Sequence, residues 1–138
     1  MTYEEERILG SIAARSAVAD LSVRQHRAFE RSDFPTWVGT FVVRGVLELA
    51  GQDPIVGHGA LETWFSSAAA HGQRILMADP VVEIDGVQGT QESTLLVLGP
   101  PVEGKVSTIA EVISASDELI FERGRWYFAR RRFAALGA

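Results

Sequence analysis

The chain has 138 residues, 46% apolar and 22% charged, which fits one globular domain with one core and argues against disorder. A net charge of −5 argues against a nucleic-acid binder, and the absence of cysteine excludes disulfides, thiol catalysis and thiolate metal sites. The acidic start, Met1 to Arg7, lacks the pattern of a secretory signal, and no apolar run approaches the ~20 residues that a membrane helix needs. The expectation is a single domain over residues 1–138 of a soluble, cytoplasmic protein.

Tyr3 to Arg31 contains no proline and one glycine, Gly10, and is rich in Ala, Arg, Glu and Leu, which predicts a helix with a possible break at Gly10. Val18, Leu21, Ser22, Gln25 and Phe29 recur at three- and four-residue spacing, giving a buried face of mixed polarity. Ser32 or Asp33 can cap a second helix with Pro35 in its first turn; that helix carries Trp37, Val38 and Phe41 and ends near Val43. Val46 to Gly51 alternates as a strand. Ala60 to Ala70 reads as a third helix with Leu61, Trp64 and Phe65 inward, stopped at Gly72.

From Arg74 the period changes to two. Ile75 to Ile84 reads as a strand bent at Asp79-Pro80, and Asp85-Gly86 as a hairpin turn. Gly89 to Leu98 returns with Gln91, Ser93, Leu95 and Val97 on one face. Val106 to Ser116 and Asp117 to Glu122 form one bent strand or two. A turn at Gly124 then leads into a strand holding Trp126, Phe128 and Arg130-Arg131-Arg132. The three arginines alternate faces and so make no single basic patch. Helices followed by four or five antiparallel strands give an α+β domain. A sheet this apolar must curve around the leading helices, leaving a tapered cavity.

This layout resembles the SnoaL-like branch of the nuclear transport factor 2-like superfamily. Three segments carry the resemblance: Gly57 with Ala60-Leu61; Asp79-Pro80-Val81-Val82-Glu83-Ile84-Asp85-Gly86; and Asp117-Glu118-Leu119 with Gly124-Arg125-Trp126-Tyr127-Phe128 and Arg131. It implies the superfamily's cone-shaped α+β fold, with N-terminal helices packed in a strongly curved, mostly antiparallel sheet. The implied activities are cofactor-independent dehydration, isomerisation or cyclisation, alongside members with none. It further implies a homodimer through the outer sheet face.

Dehydratase-type relatives pair an acidic residue at the end of the first helix with a His on the first long strand. Those positions fall on Glu30 and Ile75 here, and an aliphatic side chain cannot take a proton. His26, four residues before Glu30, can meet it on one helix face, either as a solvated pair or as a carboxylate–imidazole base. His71 is a second substitute, or a helix-end residue in water. By resemblance, Arg131 holds an anionic or carbonyl group, or else it pairs with a buried carboxylate such as Glu111 or Glu92. Asp117 reads as structural. Trp37, Phe41, Trp64, Phe65 and Phe128 are core residues, some of them also lining any pocket. Three dispersed histidines suggest no metal site. Two functions remain open: an enzyme in which Glu30 moves a proton, with His26 or His71 assisting and Arg131 steadying an oxyanion, and a binding or accessory protein, favoured by Ile75 and by Arg44 where many relatives carry Asp. Either takes a hydrophobic small molecule; a third reading is a dimerising interaction module.

Overall fold

In a computed structural model, residues 1–68, 73–100, 102–106 and 108–136 are described. Helix α1, Tyr3–Glu30, is unbroken at Gly10. Thr2 and Glu5 close a reciprocal capping box at its start, satisfying two backbone donors that would otherwise be orphaned. Its C-terminal half is packed, with Val18 and Leu21 buried, whereas its first three turns are exposed. The short helix α2, Phe34–Gly39, starts at an Asp33 cap, with Pro35 in its first turn. It ends four residues earlier than the sequence suggests, and Phe41 begins strand β1, Phe41–Leu49. Thr40 explains the stop. Its hydroxyl donates to Trp37 O at 2.6 Å, and its carbonyl accepts from Phe128 N, so the chain leaves the helix by joining the sheet.

Strand β2, Ile55–Val56, leads into α3, Gly57–Ala68. The long antiparallel strands follow: β3 Arg74–Asp85, β4 Gln88–Leu98, β5 Ile109–Glu122 and β6 Arg125–Ala135. The β5 stretch is one continuous strand. The turn into β6 has Arg123 at φ 51° and Gly124 at φ 80°, the pair of positive values a two-residue type I′ hairpin requires. The sheet order is β2-β1-β6-β5-β4-β3, and β1 runs parallel to β6, so the sheet is mixed and six-stranded. The expected bend in β3 is a register shift between Ala78 and Val81, with Asp79 at φ 50°.

A second bulge decides the interior. Leu119 pairs with Phe128 but Glu118 pairs with Arg130, so Ala129 is an extra residue. It switches the inward parity of β6 from Trp126 and Phe128 to Arg131 and Phe133. Arg130 and Arg132 consequently face outward, both onto Glu48. No helix among the described residues is long and apolar enough to cross a membrane.

Candidate functional site

The curved sheet and the helices enclose a cavity of about 700 Å³. Its walls come from α1, α2, α3 and the strands β1 and β3–β6. Strand register arranges the inner face in layers. Val97 of β4 lies beside Glu111 of β5 at the outer level, and Leu95 beside Ile113 comes next. Ser93, Ala115 and Phe133 follow, then Gln91, Asp117 and Arg131 at the inner end. Trp37 and Trp64, stacked at 5.6 Å, and Phe29 close the helical side.

The inner end is polar because α1 sends Gln25 and His26 onto Arg131 and Ser22 onto Gln91. Arg131 is fully buried and forms a two-pronged ion pair with Asp117, at 2.7 Å from Nε and 3.2 Å from Nη2. Its Nη1 donates to Gln25 Oε1 and, at 3.1 Å, to His26 Nε2. The guanidinium also stacks between Phe128 and Phe133, at 4.3 and 5.0 Å from their ring centres. Gln25 donates onward to Thr40 at 2.7 Å, and Gln91 donates to Ser22 and Asp117. A buried charge is tolerable only with such partners, and here nearly every atom has one. Gln91 Oε1 and Ser93 Oγ are buried without a partner among the described residues.

This network fixes the chemistry of His26. A guanidinium can only donate, so Nε2 of His26 accepts and the ring proton resides on Nδ1. Burial, then the positive charges of Arg131 and Arg27, hold the His26 pKa well below its usual value, so the ring is neutral. Among the described residues Nδ1 has no hydrogen-bond partner, and the side chain lines the cavity. The inner end therefore offers a neutral N–H donor, not a base.

Glu30 is placed elsewhere. Its carboxylate pairs with Arg27 and with Arg74 (3.1 Å) and accepts the backbone N–H of Ile75 at 2.7 Å. The side chain does not meet His26 and is not among those lining the cavity. Ile75 itself does line it. His71 lies outside the described residues. Among the five candidate ligand-contact aromatics, Trp37 and Trp64 line the cavity. Phe41, Phe65 and Phe128 pack into the aromatic core instead, where Trp37 meets Phe41 at 5.3 Å and Phe65 at 4.9 Å. Arg131 pairs with Asp117 rather than with Glu111 or Glu92. Glu92 faces outward and accepts from Ser116, and Glu111 stands exposed at the cavity mouth. No cluster of three metal-ligating side chains exists among the described residues.

Gln25 and Ser22 were visible in the sequence as polar interruptions of an apolar helix face. Gln91 and Ser93 were visible as polar residues sharing parity with Leu95 and Val97. The meeting of Gln25 with Arg131 depends on the bulge at Ala129, which leaves no sequence signal beyond the chain's own alternation.

The comparisons with known proteins agree with this architecture. A family model described as SnoaL-like domain matches residues 10–132. An NTF2-like protein with a cystatin-like fold from Novosphingobium aromaticivorans superposes with a TM-score of 0.84 at 17% identity, covering 96% of this chain and 88% of that one. Rv3472 of Mycobacterium tuberculosis, a protein of unknown function, gives 0.80 at 25% identity over 98% and 76% of the two chains. A Catenulispora acidiphila protein solved in complex with S-DNPA gives 0.75 at 23% identity over 88% and 92%. A comparison with curated proteins gives no match. The chain belongs to the SnoaL-like domain family and has the α+β cone fold of NTF2-like proteins.

Proposed function

We propose that this protein binds a hydrophobic small molecule in the cavity and holds an acceptor oxygen of that molecule, a carbonyl or similar group, on the Nδ1–H of His26. The observation that carries this reading is the inner end itself, where an apolar cavity finishes on the His26 ring, whose Nδ1–H has no partner among the described residues and whose Nε2 is held by Arg131. Ligand sites in proteins are commonly of this kind, mostly apolar with a few fixed polar groups. The Catenulispora acidiphila structure with S-DNPA supports a small-molecule role within the fold.

The best-supported form is a binding or accessory protein without a carboxylate–imidazole dyad. Glu30 is held by two arginines and a backbone amide, and the Nε2 lone pair of His26 is taken by Arg131. The enzymatic reading, a cofactor-independent lyase, isomerase or cyclase, has one observation in its favour: the same donor end would stabilise an oxyanion on a carbonyl substrate. A dialkylamino-naphthyl ketone fluorophore tests the proposal, because its emission reports both burial and hydrogen bonding at its carbonyl. Saturable binding that weakens in His26→Phe and is unchanged in Glu30→Gln is expected. Absence of saturable binding would contradict it.

The outer sheet face is proposed as the surface for a second copy. Its exposed Val81 and Ile109 support this. A monomer by light scattering at tens of micromolar would rule it out. The acidic net charge supports a small-molecule partner over nucleic acid.

A further inference from the structure

The mouth of the cavity carries a feature that the inner end does not explain. Glu111 lies on the inward parity of β5, in line with Ile113, Ala115 and Asp117, and lines the cavity while remaining exposed. Its lateral neighbours at that level, Val97 and Ile75, are aliphatic. Among the described residues it has neither an ion pair nor a hydrogen bond. Among the described residues the cavity's other charged lining residue is Arg131, already neutralised by Asp117 at the far end. Among the described residues, therefore, the mouth presents an uncompensated negative charge beside apolar walls, where the field is focused and less screened than on an open surface.

The separation of the two ends follows from the strand. Six residues divide Glu111 from Asp117 without a register shift between them, or about 20 Å of backbone at ~3.3 Å per residue.

We infer that the ligand is two-ended, with an acceptor oxygen seated at His26, an apolar body, and a cationic nitrogen at the mouth facing Glu111. This rests on the ligand-binding reading above and names the class of molecule it takes. An anionic tail is disfavoured by the same carboxylate.

The test uses three naphthyl ketones identical but for the group ending a short far-side chain: trimethylammonium, tert-butyl or carboxylate. Binding to the full-length chain is measured at low salt. The cation should bind about two- to five-fold more tightly than its neutral isostere, the range for a partly exposed ion pair. That preference should vanish in Glu111→Gln and shift to the carboxylate in Glu111→Lys. A neutral probe that binds without any cation preference, or a preference that survives Glu111→Gln, overturns this inference alone. If no probe binds, the ligand-binding reading falls and this inference falls with it.

Discussion

Removing the charge of Arg131 tests the interior network most severely. Arg131 is fully buried, and its guanidinium bonds twice to Asp117, once to Gln25 and once to His26. In Arg131→Met the side-chain volume is roughly retained, but the Asp117 carboxylate stays buried with Gln91 as its remaining side-chain donor, and Gln25 Oε1 and His26 Nε2 lose their donor. Breaking a buried pair from one side costs about 3–5 kcal/mol, because an uncompensated charge remains. Urea unfolding should show that loss in the midpoint with an unchanged slope, and the melting temperature should fall by roughly 10–15 °C. The double variant Asp117→Asn with Arg131→Met leaves no buried charge and should recover more than half of the loss. If the double variant is as unstable as the sum of the two single ones, the pair does not act as a unit and the reasoning about the inner end is wrong.

Other predictions follow from the same geometry. His26 is neutral when folded and has its pKa held below the ordinary 6.5, so the unfolded chain binds the extra proton and stability must fall as pH drops below about 6.5. The slope should reach about 1.4 kcal/mol per pH unit before carboxylates contribute, and His26→Gln should flatten it between pH 6.5 and 5 in pH-dependent urea titrations. Glu30→Gln should cost about 1–2 kcal/mol of stability through weakened bonds to Arg74, Arg27 and the Ile75 amide, with naphthyl ketone affinity unchanged; a loss of affinity would return Glu30 to the ligand site. Ile113→Trp, which fills the middle of the cavity, should abolish probe binding while the chain still unfolds cooperatively, as followed by circular dichroism.

The strands from Arg74 onward were legible because a period of two with Gly and Pro punctuation leaves few alternatives, and the helix over Tyr3 to Glu30 was legible from composition. The end of the second helix was not. Phe41 continues the apolar spacing of Trp37 and Val38, and the chain leaves the helix for a tertiary reason, the capture of the Thr40 carbonyl by Phe128. Parallel pairing of β1 with β6 joins residues 84 to 87 positions apart and leaves no local trace. At the site, the sequence brought Arg131 and His26 forward by two separate arguments, but could not join them. Their contact needs the bulge at Ala129, and that bulge also sets which arginine of the three turns inward. Glu30 and His26 share the i, i+4 spacing of a helix pair, yet Glu30 bonds to Arg27 and Arg74 while His26 meets Arg131, because stronger cationic partners outcompete the neutral imidazole.

The infrared carbonyl band of a bound, isotope-labelled naphthyl ketone gives the most direct test of whether the cavity ends on a donor. In the wild-type protein the band should move to the lower frequency of a hydrogen-bonded carbonyl, and in His26→Phe it should return to its position in an apolar solvent. A band already at the apolar position in the wild type, or one that ignores the loss of His26, would contradict the account.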